Sequence, residues 1–188
     1  VTKEMALDLP PKTFVERRCE LLGEQKKIYS DLRKHAVAKL KTAQREGTLT
    51  INNVLTESLR LLQCAGGHVP SNDGMMHHFK PNAKMELLGE VIEEVGDKPL
   101  VIWTCFRAEL KAIAELLADD GVVTLHGDTL QGERADNIQA FQNGAVKYFV
   151  AMSQAGGMGI TLTRADTEVF YSRNWNAGIF WQATDRIH

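Results

Sequence analysis

Cysteine, long apolar runs and an excess of either charge are all scarce in this 188-residue sequence, and each scarcity removes a class of protein. Three cysteines, Cys19, Cys64 and Cys105, are too few and too scattered for a disulfide framework, so reduced thiols in a cytoplasmic or, in a eukaryote, nuclear setting are expected. No stretch approaches the roughly 20 apolar residues that a membrane-spanning helix needs, so no membrane partner is expected. A formal net charge of −2 leaves no global basic field, and any nucleic-acid contact must come from local patches. No Gly-Lys-Ser/Thr occurs, which excludes a Walker A phosphate loop. What is present is an ordinary globular balance, 44% hydrophobic and 24% charged, in a chain long enough for one buried domain with an appendage.

Two rhythms divide the sequence. From about residue 16 to 95 the pattern is helical. Ile28, Leu32, Ala36 and Leu40 recur every fourth residue, and Val54, Ser58, Leu61, Leu62 and Ala65 mark a second helix stopped by Gly66-Gly67. Residues 66–81 read as a loop or short hairpin, and Asn82 is placed to cap a third helix with Met85, Leu88, Val91, Ile92 and Val95 on its buried side. From Pro99 onward strands alternate with helices. Strands are expected at 100–105, 122–125, 147–152 and 168–171, and helices at 107–117, 132–141 and from 177 to the end. This alternation predicts an α/β fold whose parallel sheet is flanked by helices and carries its ligands at the strands' carboxyl ends.

Three clusters could carry chemistry. Ala155-Gly-Gly-Met-Gly159 directly follows a strand, so its amides could approach a phosphate; an ordinary tight turn fits the glycines as well. His126-Gly127-Asp128 lies at a strand end with Arg134 eight residues on; spacing alone favours a plain strand-to-helix turn with a solvated arginine over a phosphate contact. Cys64, His68, His77 and His78 match no strong metal-ligand spacing and read as loop histidines, so no metal site is expected. Trp103, Trp175 and Trp181 read as core anchors, with Trp175 also a candidate aromatic facing nucleic acid.

Taken in order, LVIWTCFRAEL (100–110), LHGDTLQGERADNIQAFQNG (125–144), SQAGGMGITLTRADTEVFYSRNWN (153–176) and QATDRIH (182–188) resemble motifs IV to VI of the second RecA-like lobe of superfamily-two helicases, specifically the Swi/Snf-type DNA translocases. LPPKTF (9–14) and the helix near Glu24-Gln25 resemble the segment joining the two lobes, and the helix around Leu59–Cys64 part of the inter-lobe helical region. The resemblance implies an inter-lobe connector at 1–15, a helical region at 16–95 and a RecA-like domain at 96–188 that stops within motif VI. Beginning at Val1 and stopping at His188, before a further motif VI arginine, the sequence is expected to be an excised piece of a longer protein.

The resemblance also implies roles. Thr104, His126, Gly127, Arg134, Ser153, Gln154, Thr161 and Arg164 would contact the DNA backbone, with Arg164 and Arg173 standing out as additional arginines suited to a phosphate. Gly157, Gly159, Gln182 and Arg186 would face ATP, and Arg186 would act in catalysis from a helix face shared with Gln182 and Asp185. ATP and Mg²⁺ would be held mainly by the N-terminal RecA-like lobe of the same parent chain. The isolated piece is then expected to be inactive and the parent to be a DNA-dependent ATPase acting on duplex DNA. An RNA helicase lobe, or a non-catalytic Rossmann-like nucleotide-binding or interaction domain, remains the alternative.

Overall fold

The computed structural model describes residues 11–71, 73–155 and 159–187. Two helices come first. Helix α1, Gly23–Arg45, turns Gln25, Ala36 and Ala43 inward; helix α2, Ile51–Ala65, is capped by Thr50, whose hydroxyl accepts from Asn53 N at 3.3 Å, and buries Glu57 and Cys64. The first helix thus keeps its expected face at Ala36, but Ile28, Leu32 and Leu40 are only half-buried and Val54 of α2 is exposed. The segment after α2 is a hairpin, with β1 (His68–Pro70) antiparallel to β2 (Met76–His78) and His68 opposite His78. Asn82 caps α3, Ala83–Val95, accepting from Lys84 N at 3.2 Å and Met85 N at 3.4 Å as its position predicted.

The second part is the expected parallel α/β lobe. Strands β3 (Leu100–Thr104), β4 (Val122–Leu125), β5 (Tyr148–Met152) and β6 (Thr167–Phe170) lie in the order β4-β5-β3-β6, every neighbouring pair parallel. Helices α4 (Arg107–Leu116), α5 (Gln131–Gln142) and α6 (Ala177–Thr184) complete it. Side chains on successive strand residues point to opposite faces, so β3 and β5 each feed two cores. Val101, Trp103, Phe149 and Ala151 pack with Phe141, Leu162 and Ala183 on one face; Leu100, Ile102, Tyr148 and Val150 pack with Leu88, Leu110 and Ile113 on the other.

Of the three tryptophans read as core anchors, only Trp103 is one: it is fully buried and its indole N–H donates to Glu168 Oε2 at 2.6 Å. Trp175, in the turn before α6, and Trp181, on the outer side of α6, are 67% and 55% exposed and line an open cleft with Phe170, Tyr171 and Phe180. His68 also departs from expectation. It is buried edge-on against Phe106, 5.3 Å between ring centroids, and burial lowers its pKa to about 4.

Candidate functional site

Parallel pairing brings the strands' carboxyl ends to one edge. Leu125 lies opposite Ala151 and Thr104 opposite Met152, so the turns that begin at Cys105, His126 and Ser153 emerge side by side. The side chains at this edge divide into those that face outward and those that hold the edge together.

His126 heads the outward set. Its Nδ1 accepts from Arg107 Nη2 at 3.0 Å and from Asp128 N at 3.3 Å, so its ring proton resides on Nε2, which remains a donor. Arg107 also forms an ion pair with Asp128. Arg107 is the residue of this group that the sequence reading missed as a site candidate; its signal was its place at the first turn of a helix leaving a strand's carboxyl end. Gly127, Gln154 and Thr161 are exposed beside these groups. Gly159 has φ +60°, the left-handed region where a side chain is strained, so the turn requires glycine there on backbone grounds alone. Gly157, expected to face ATP, lies outside the described residues, as does His188 at the end of the motif.

Four of the residues expected to touch DNA turn inward instead. Thr104 is fully buried, its hydroxyl 3.5 Å from Ala151 O. Ser153 is 4% exposed, its N–H donating to Thr104 O at 2.9 Å, so it stitches β5 to β3 rather than presenting a hydroxyl. Arg134 donates to Thr129 O at 3.1 Å and His126 O at 3.2 Å, bracing the turn that carries His126. Arg164 donates to Phe141 O at 2.8 Å and Val146 O at 2.7 Å and lies over the Phe141 ring. The reason is common to both arginines: turn and helix-end carbonyls keep a lone pair for a second donor, and a guanidinium with several donors reaches two of them at once.

The expected face of Gln182, Asp185 and Arg186 is also revised. Helix α6 ends at Thr184, with Asp185 as its C-cap, so Arg186 follows the helix rather than extending its face. Gln182 is exposed on α6. Arg186 is tied instead to the turn beyond Gly159: its carbonyl accepts from Leu162 N at 2.8 Å, and its Nη1 donates to Ile160 O at 3.5 Å. Ahead of the lobe, Lys12 bonds Asp185 at 2.6 Å, and Phe14 packs edge-on against Trp181 with centroids 6.1 Å apart.

Beneath the edge lies a polar network that the sequence reading also missed, because its members come from four segments far apart in the chain. Glu109 is 2% exposed and accepts from Ser172 Oγ, whose oxygen in turn accepts from Cys105 N at 2.7 Å. Burial holds the Glu109 carboxyl above the usual carboxylate range and the Lys84 amine below the usual lysine range. Tyr171 donates to Gly66 O at 3.0 Å, joining the network to the end of α2.

Comparison with known proteins places this geometry. Residues 83–188 match the helicase conserved C-terminal domain. Nuclear protein STH1/NPS1 of Saccharomyces cerevisiae is 27% identical over 205 residues, covering 99% of this chain, while the chain spans 15% of that protein's length. The crystal structure of the C-terminal part of the Fun30 ATPase domain superposes with a TM-score of 0.75 at 19% identity, covering 96% of this chain and 81% of that one, which speaks to the fold. The Sulfolobus solfataricus SWI2/SNF2 ATPase core in complex with dsDNA superposes with a TM-score of 0.71 at 28% identity, over 90% of this chain and 36% of that one.

Proposed function

The chain belongs to the helicase conserved C-terminal domain family, and from that premise we propose that it is the second motor lobe of an ATP-dependent, duplex-DNA-translocating ATPase of Swi/Snf type. The observation that carries this reading is the pair of hydrogen bonds between the 159–162 turn and Arg186. One turn bears Thr161 at the exposed edge, and the residue tied to its backbone is the arginine assigned to the nucleotide. A shift of the turn against a phosphate backbone is therefore also a shift of Arg186.

In this reading the backbone of one DNA strand runs along the carboxyl edge. His126 Nε2–H, the Gln154 amide and the Thr161 hydroxyl donate to phosphate oxygens, while Arg134 and Arg164 keep the supporting turns in place. Gln182 and Arg186 face the triphosphate held by the N-terminal lobe of the parent chain. Fit with the rest of the nucleotide site is partial by design: the sequence has no Walker A lysine, and among the described residues no cluster of three or more His, Cys, Asp or Glu could hold a metal ion. ATP and Mg²⁺ would therefore rest on the partner lobe, with this lobe adding positive charge and orientation to the transferring phosphoryl group. The connector at 11–15, held by Lys12 and Phe14 on α6, would lead from one lobe to the other. In a eukaryote such a parent would work in the nucleus.

The test is Arg186→Ala in the full-length parent. An arginine stabilising phosphoryl charge is worth roughly 10³–10⁵ in turnover, shared here with any second motif VI arginine. ATPase should fall steeply with DNA affinity and melting temperature nearly unchanged. Normal turnover by the folded variant would refute the nucleotide role, and so would DNA-stimulated hydrolysis by this chain alone.

A further inference from the structure

Helix α1 carries seven of the chain's 22 basic residues and two of its 24 acidic ones, a polarity that the net charge of −2 conceals. The arrangement on the helix is more informative than the count. Lys27, Lys34 and Lys41 repeat every seventh residue and Arg45 follows one turn later, which at 100° per residue sets all four within an arc of about 40°. Gln25, Ala36 and Ala43, the buried positions, lie on the opposite side. Among the described residues no ion pair engages Lys27, Lys41 or Arg45, and Lys34 has a loose pair with Asp31 at 3.8 Å. No carboxylate falls within the arc. At 1.5 Å per residue the cations form a straight track about 27 Å long.

The start of α1 is joined to the α/β lobe through α2, on the side opposite the cations. Gln25 Nε2 donates to Cys64 O at 2.8 Å, fixing the start of α1 to the end of α2, where Gly66 O receives Tyr171 and His68 packs on Phe106 at the sheet's carboxyl ends. The four cations themselves are exposed to solvent.

We propose that this face of α1 is a second nucleic-acid contact, binding the phosphate backbone of duplex DNA without sequence preference. A linear array of cations suits a polymer whose charge repeats regardless of sequence. The groove between α1 and α2 is lined by Ala38, Lys39 and Thr42 and by none of the four cations. Nor does the arc carry the bulky apolar residues that anchor a basic helix in a bilayer; Val37, 46% exposed, lies about 40° outside it. The proposal rests on the motor-lobe reading only for its choice of duplex DNA as the ligand.

The test is anisotropy titration of a labelled 30-base-pair duplex with the 188-residue chain at several salt concentrations. Three proteins are compared: unaltered chain, a track variant (Lys27→Gln, Lys34→Gln, Lys41→Gln, Arg45→Gln) and an edge variant (Gln154→Ala, Thr161→Ala). Glutamine keeps helix propensity, and circular dichroism confirms the fold. Each phosphate contact adds about 0.9 to the slope of log K against log salt. The track variant should therefore bind at least tenfold more weakly, with a slope smaller by about 3.6. A track variant that binds like the unaltered chain, while the edge variant loses binding, overturns the track and leaves the motor-lobe reading standing. Loss in the track variant alone supports the track and counts against the edge. No duplex binding by the unaltered chain, or tighter binding to vesicles containing phosphatidylserine than to duplex, also overturns it.

Discussion

The α/β lobe and the helical region ahead of it bury different kinds of group. Every residue of β3 is buried, and the sheet sandwiches hydrocarbon on both faces. The helical pair buries Gln25, Glu57, Cys64 and two alanines, while Ile51, Val54, Leu55 and Leu59 of α2 stay 40% or more exposed. The lobe is thus held by apolar area, and the helical pair by specific polar contacts such as Lys39 Nζ to Glu57 Oε1 at 2.6 Å. On that difference we propose that the lobe is the fold's independent unit and the helical region its dependant, attached through Gly66, Tyr171 and Glu109.

The sharpest way to break this comparison is Phe141→Ala. Phe141 is fully buried against Phe149, and its loss should cost about 3–5 kcal/mol and unfold both regions together in thermal denaturation. If the helical region survives on its own melting transition, the dependence is wrong. Next comes Lys39→Ala, which leaves the Glu57 carboxylate, 4% exposed, without the lysine whose hydrogen bond lowers its pKa. About 1–3 kcal/mol should be lost, read by hydrogen exchange in α1 and α2 and not in the sheet. Equal exchange in β3 would place the pair in the lobe's cooperative unit.

The junction offers a third measurement, in pH. His68 has its folded pKa lowered from 6.5 to about 4, so the folded state binds fewer protons than the unfolded state between those values. Its contribution is therefore present above about pH 6.5 and is lost as pH falls towards 4. Glu109 acts in the opposite sense: its raised pKa makes the folded state bind more protons, so stability falls as pH rises from 4.5 through the raised value. Glu109→Gln should remove that second slope and leave a melting temperature that climbs more steeply with pH between 4 and 6.5. An unchanged profile would mean that Glu109 is ionised in place. Gly66→Ala tests the same contact sterically, since a Cβ there would collide with the Glu109 carboxyl. The smallest effect is expected from Leu59→Ser on the exposed side of α2, within about 0.5 kcal/mol by denaturant unfolding; a loss above 2 kcal/mol would show a packed face there.

The strand–helix alternation after Pro99, the Asn82 cap and the stop at Gly66 were legible in the residues because each is a local property. Backbone period and cap chemistry act over three or four residues, and no distant partner is needed to read them. The ordered motifs likewise marked the family: all four lie within residues 83–188, which match the helicase conserved C-terminal domain. What the sequence could not determine is which way a side chain faces once distant segments meet. Arg164 reads as a phosphate ligand until α5 brings the Phe141 carbonyl to it, and Ser153 as a donor to DNA until β3 offers Thr104 O. Glu109 carries no signal of its own in the sequence, and Ser172 and Gly66 close over it only in the fold. In each case the tertiary structure decided, because a hydrogen-bonding group pairs with whichever donor or acceptor folding brings beside it, and that neighbour is set by contacts between 20 and 60 or more residues apart.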